Sequence, residues 1–138
     1  MKSFFAAIGQ FVYRLRHGIT LTNADFERLT ERAGEFSDDL AMLSDEGLKQ
    51  RFLNLMAGGP VLTKDDLAAA FAVVREAAAR TLNMKPYDVQ MVAAFAMHAG
   101  RCVEMQTGEG KTLAAAVVTC VKAFSGTGFH ILTFNDYL

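Results

Sequence analysis

The stretch Met105-Gln106-Thr107-Gly108-Glu109-Gly110-Lys111-Thr112 closes on Gly-Lys-Thr, the ending of a phosphate-binding loop. In the pattern G-x-x-x-x-G-K-[ST], backbone N–H groups of a glycine-rich turn cradle the phosphates. The lysine reaches the β- and γ-phosphates, and the hydroxyl holds Mg²⁺. Gly108 and Gly110 supply the positive-φ freedom that such a turn needs. Lys111 and Thr112 fill the lysine and hydroxyl positions, while Thr107 and Glu109 complete the loop, with the Glu109 side chain expected to face solvent. One position departs from the pattern: Met105 stands where glycine is usual. A preceding strand that runs one residue further accounts for this, with Met105 as its last residue.

A second constellation lies upstream. The segment "NMKPYDVQ" over 83–90 sets Met84, Tyr87 and Gln90 about a helical turn apart. A carboxamide offers one donor side and one acceptor side, which together suit the edge of an adenine. An apolar side chain and an aromatic ring can sandwich the base. Taken alone, the same residues are better described as an ordinary helix start with a packed tyrosine.

A phosphate loop works only between a strand and a helix, because the N–H groups at the helix N-terminus bind the anion. The order of elements meets that demand. "RCVEM" (101–105) reads as a short strand, the loop follows, and an alanine-rich helix is expected over 111–124. "SGTG" (125–128) reads as a turn, "FHILTF" (129–134) as a buried strand, and Asn135 as the cap of a further helix.

Upstream, helices dominate. Phe4, Phe5, Ile8, Phe11, Val12 and Leu15 form one helical stripe ending near Gly18. Thr22 is placed to cap a short acidic helix to about residue 33, and Ser44 a second, lined by Leu48, Phe52 and Leu55 and stopped by Gly58-Gly59-Pro60. Thr63 with Asp66 resembles a capping box opening a helix over 64–82, with Leu67, Phe71, Val74 and Ala78 inward and Asn83 as a left-handed terminator. Another helix is expected over 87–99, with Val89, Val92 and Phe95 inward and Gly100 closing it.

The composition bounds the function classes. A chain of 138 residues, 51% hydrophobic and 21% charged, is of globular type and long enough for a real core. Net charge is −1, so bulk charge predicts no nucleic-acid partner. Residues 1–20 carry Lys2, Arg14 and Arg16 and no acid, a local +3 that leaves −4 on the remainder. Cys102 and Cys120 lack C-x-x-C or histidine spacing, which argues for buried reduced thiols rather than a disulfide or zinc site. No run approaches the ~20 apolar residues of a membrane span. The N-terminal stretch lacks a small-residue cleavage site, so a cytoplasmic chain is expected.

The two constellations together resemble one family. "REAAARTLNMKPYDVQMV", "GRCVEMQTGEGKTLAAAV" and "GFHILTFNDYL" are similar to the N-terminal part of the SecA family, the ATPase motors of bacterial preprotein translocation. The similarity is strongest over 63–138 and looser over about 21–57. In that family methionine at the first loop position is normal. The resemblance implies an α/β fold: a mostly helical N-terminal part leading into an incomplete RecA-like parallel sheet of DEAD-like, superfamily 2 type. It divides the chain into a basic amphipathic helix (1–18), a helical region (19–82) and the first part of a nucleotide-binding domain (83–138). It implies ATP or ADP with Mg²⁺ as cofactors. Gln90 would read adenine with Met84 and Tyr87 lining the base, Gly108, Gly110, Lys111 and Thr112 would hold the phosphates, and Thr112 would be the metal ligand. Implied partners are a SecY-type channel complex and preprotein, with residues 2–17 against the channel or an anionic inner-membrane surface. Ala93-Ala94 stand where many relatives have a glycine pair, which marks a divergent member.

The resemblance also places an Asp-Glu-x-Asp motif, a second RecA domain with its arginine finger and a preprotein-binding domain beyond Leu138. The expectation is therefore a fragment of a longer motor, without ATP turnover of its own, whose open sheet edge could pair between chains as a homodimer. Two other readings stand beside it. One is a non-enzymatic protein–protein interaction module with a vestigial loop. The other is a fragment of a superfamily 2 nucleic-acid helicase, against which the low net charge and the lack of a basic face over 21–138 count.

Overall fold

A computed structural model describes residues 21–57, 63–123 and 129–132. The described chain is mostly helical: α1 (Asn23–Glu35), α2 (Ser37–Ala41), α3 (Asp45–Ala57), α4 (Lys64–Leu82), α5 (Asp88–His98) and α6 (Lys111–Ala123). The expected basic helix over 1–18, the Gly-Gly-Pro stop, the 125–128 turn and the helix opening at Asn135 lie outside the described residues.

Local chemistry sets the helix ends. Thr63 Oγ1 accepts from Asp66 N–H at 3.1 Å while Asp66 Oδ2 accepts from Thr63 N–H at 3.1 Å, so two backbone donors that the helix leaves open are satisfied at once. Thr22 and Asp25 do the same work at α1, and Ser44 Oγ accepts from Gly47 N–H at 3.1 Å at α3. Asn83 ends α4 in the left-handed region at φ 52°, and Gly100 follows α5 at φ 74°. The short α2 was not foreseen; at five residues it is too brief for apolar periodicity to reveal.

α4 forms the spine. Leu67 and Phe71 on it are fully buried, and α1, α2, α3 and α6 all pack against it. α5 lies against α1 and α6, and its Phe95 stacks on Phe71 with ring centroids 4.1 Å apart. An aromatic pair of this kind contributes ~0.5–1.5 kcal/mol beyond its area. Arg80 ties the helical ends together: Nη2 donates to the Leu40 carbonyl at 2.9 Å, Nη1 to Leu43 O and Asp45 Oδ1 at 2.9 Å, and Nε to Glu76 at 2.8 Å.

Three expectations are corrected. The strand over 101–105 has no regular secondary structure, nor do the described residues 129–132 of the second. A strand exists only with a ladder partner, and no described residue pairs with either segment in a ladder. Thus a helical array is what the described residues show, and the parallel sheet is not among them. On α5, Phe95 is buried and Val92 packs against the core as expected, but Val89 is 53% exposed; Met91, Ala94 and Gln90 join the buried face. Both cysteines are free, as expected, but exposed rather than buried. Cys102 sits on the irregular segment after α5, and Cys120 on α6 borders a cleft that α3 and α4 also line.

One ion pair has a pH consequence. Lys64 Nζ donates to Asp25 Oδ1 at 2.6 Å, and Thr22 donates to the other oxygen, linking the starts of α1 and α4. The Lys64 hydrogen bond, then those from Thr22, lower the Asp25 pKa from 3.8 to about 2. A depressed carboxylate pKa favours the folded state wherever the group is ionised, so this contribution is complete above pH ~4 and is lost as pH falls from there toward 2. Half-exposure of Lys64 limits it to ~1–2 kcal/mol. Urea unfolding at pH 6 and pH 2.5 should show a larger loss for the native sequence than for Asp25→Asn. Equal losses would remove the ion pair from the account.

Candidate nucleotide site

The loop follows α5 after the irregular segment 99–105. Gly108 (φ 91°) and Gly110 (φ 76°) both lie in the left-handed region, the freedom expected of them. α6 opens at Lys111, and the carbonyl of Gly110 accepts from Leu113 and Ala114 N–H at 3.0 and 3.2 Å. Among the described residues, the N–H groups of Gly108, Gly110, Lys111 and Thr112 have no hydrogen-bond acceptor. They stand at the positive end of a helix dipole, which suits an anion.

The loop is cross-braced from within. Lys111 Nζ donates to the Gln106 carbonyl at 2.7 Å, and Gln106 N–H donates to Glu109 Oε2 at 2.8 Å. Glu109 is therefore only partly turned to solvent. Its carboxylate turns back to satisfy a loop N–H that would otherwise be open, and the residue is half-buried. Gln106 was not singled out in the sequence, although its place inside the loop was a signal. Thr107 is exposed on the turn.

Gln90 joins the two constellations. It is 6% exposed. Its Oε1 accepts from Tyr87 N–H at 2.9 Å and its Nε2 donates to the Glu109 carbonyl at 2.9 Å. A carboxamide has two acceptor sites and two N–H bonds, so one of each remains for a ligand. Gly110 abuts it so closely that a Cβ there would overlap Nε2.

Between these elements lies a cleft of about 670 Å³. Met84, Tyr87, Gln90, Gly110 and Thr112 line it together, with Lys85, Leu113 and Ala116 also on its wall. Of the lining residues expected at the base, Met84 and Tyr87 are the most open, 52% and 74% exposed. Thr107, Gly108, Glu109 and Lys111 build the adjoining loop rather than the cleft wall. A large half-open cleft with apolar walls and convergent polar groups is the usual form of a small-molecule site. Among the described residues no group of three His, Cys, Asp or Glu side chains is gathered to hold a metal ion, and no helix is long and apolar enough to cross a membrane.

The SecA DEAD-like domain matches residues 15–138. "Protein translocase subunit SecA" of Desulforamulus reducens is 44% identical over 115 residues, which is 81% of this chain and 13% of the relative. The protein of the same name from Thermodesulfovibrio yellowstonii is 46% identical over 113 residues, 80% of this chain and 13% of the relative. "Protein translocase subunit SECA2, chloroplastic" of Arabidopsis thaliana is 44% identical over 117 residues, 83% of this chain and 11% of the relative. The chain belongs to the SecA DEAD-like domain family. It spans about an eighth of the length of these curated relatives.

Proposed function

We propose that this chain binds ADP and ATP in the cleft between residues 82–90 and the 106–112 loop, as the nucleotide-binding part of a motor that moves preproteins through a SecY-type channel at the cytoplasmic face of the inner membrane. The observation that carries the reading is the cleft itself. Met84, Tyr87 and Gln90, recognised from one stretch of sequence, line the same cleft as Gly110 and Thr112, recognised from another. The printed names of the relatives, translocase subunits, supply the motor's task.

The roles follow from position. Gln90 presents its remaining donor and acceptor to the base edge, and Met84 and Tyr87 flank the ring. The open N–H groups of 108–112 receive the phosphates, and Lys111 exchanges the Gln106 carbonyl for a phosphate oxygen. Thr112, exposed on the first turn of α6, fits a Mg²⁺ ligand. When bound with nucleotide, that ion supplies charge neutralisation between the phosphates. Titration calorimetry with Mg-ADP tests the reading; heat of binding that does not depend on Lys111 would refute it.

The same reading predicts that the 138-residue polypeptide hydrolyses ATP no faster than background. Phosphoryl transfer needs positioned water and charge stabilisation from more than the loop; an arginine finger alone contributes ~10³-fold or more. In the resembled family the carboxylates and that arginine come from elsewhere in the motor. The nearest acid in the loop, Glu109, is tied to Gln106 N–H. Phosphate release should be the same for the native chain and Lys111→Ala. A rate that drops on that substitution would show that a carboxylate within the chain is the catalyst.

A further inference from the structure

We propose that Arg75 is a positioning residue for the base end of the cleft, an assignment that rests on the nucleotide reading above. Residues 83–87 carry Met84 and Tyr87 to the cleft, yet they belong to no helix. A segment without a hydrogen-bond ladder keeps its place only if its own backbone geometry and neighbouring side chains hold it. Asn83 sets the exit from α4 with its left-handed turn, and Pro86 is fully buried. The remaining hold comes from α4. Arg75 Nε donates to the Pro86 carbonyl at 2.8 Å, and Arg75 Nη2 donates to Asp88 Oδ1 at 2.8 Å.

Those two acceptors flank Tyr87 in the chain. From the other side, Gln90 Oε1 takes the Tyr87 N–H. The backbone at Tyr87 is therefore clamped between a side chain from α4 and one from the first turn of α5. The two bonds of Arg75 are unequal. Its side chain is 12% exposed, whereas that of Asp88 is 76% exposed, so the ion pair is largely screened by water. The bond to the carbonyl is charge-assisted and shielded, and it does most of the holding. A guanidinium reaches both acceptors with one rigid fork; an ammonium is a single point and reaches one.

The loop over 106–112 has its own braces, Lys111 to Gln106 O and Gln90 to Glu109 O, whereas the hydrogen bonds of Arg75 go to Pro86 and Asp88. Loss of Arg75 should therefore loosen the base end and leave the phosphate end in place. This separates a positioning role from a merely structural one, which would weaken both ends.

The test is a titration of the full 138-residue chain and its Arg75→Ala and Arg75→Lys variants with Mg-ADP and, separately, with Mg-pyrophosphate. Amide hydrogen exchange is followed alongside. Arg75→Ala should bind ADP about tenfold more weakly and pyrophosphate within about twofold of the native chain, with Arg75→Lys between them for ADP. Exchange should quicken at Tyr87, Gln90 and Met91 and stay unchanged at Leu113 and Ala114. An unchanged ratio of the two affinities, or an equal loss of both with faster exchange throughout α4 and α5, would overturn the inference. If the native chain binds neither ligand, the nucleotide reading falls. The exchange pattern then decides alone, and unchanged exchange at Tyr87 overturns the positioning role.

Discussion

Replacing Lys111 with alanine is expected to weaken Mg-ADP binding about 100-fold, ~2.7 kcal/mol, while leaving the helices intact. The ammonium is exposed and bonds only the Gln106 carbonyl in this structure, so the fold loses little with it. A ligand phosphate loses far more. Charge-assisted hydrogen bonds contribute ~1.5–3 kcal/mol each, and this one sits beside N–H groups that share the same anion. Calorimetry, with circular dichroism as the check on folding, reads both quantities. Similar affinities for the two proteins would mean that the loop is vestigial, as the interaction-module reading holds.

Gly110→Ala is expected to cost ~2–4 kcal/mol of stability and the nucleotide site with it. Two costs combine. A side chain at φ 76° is strained by ~1–2 kcal/mol. The new Cβ would also overlap Gln90 Nε2 and lie 3.3 Å from its Cδ. The end of a glutamine is normally free to move aside, but this one is buried and bonded to Tyr87 N–H and the Glu109 carbonyl. Moving it forfeits bonds of about 1 kcal/mol each. Gly108 is the control. Its φ is 91°, yet a Cβ there would meet nothing within 4 Å, so Gly108→Ala should carry only the strain. Chemical unfolding of the two variants checks the order. Equal destabilisation would show that Gln90 is not the obstacle.

What the sequence revealed depended on how local the cause was. The start of α4 could be placed because Thr63 and Asp66 bond each other three residues apart, and its end because Asn83 itself adopts the left-handed turn. The exposure of Val89 on α5, against expectation, has a tertiary cause. Val89, Met91, Val92 and Phe95 surround the helix, and α1 and α6 decide which of them are covered. The segment over 101–105 has strand-like composition, but pairing is a property of two segments. Glu109 was set facing solvent because its bond to Gln106 N–H appears only once the loop is folded back. The cleft follows the same logic: each wall was legible by itself, whereas their juxtaposition needed the packing of α5 on α6. Arg75 gave one unused hint, a charged residue next to the buried Val73 and Val74.

The central claim is that the two walls bind one ligand, and amide chemical-shift mapping of the isotope-labelled chain tests it most directly. Mg-ADP should move the resonances of Gly108, Gly110, Lys111 and Thr112 together with those of Tyr87 and Gln90, while Mg-pyrophosphate should move chiefly the first group. Shifts from ADP confined to the loop, or scattered away from both walls, would contradict an adenine nucleotide lying in this cleft.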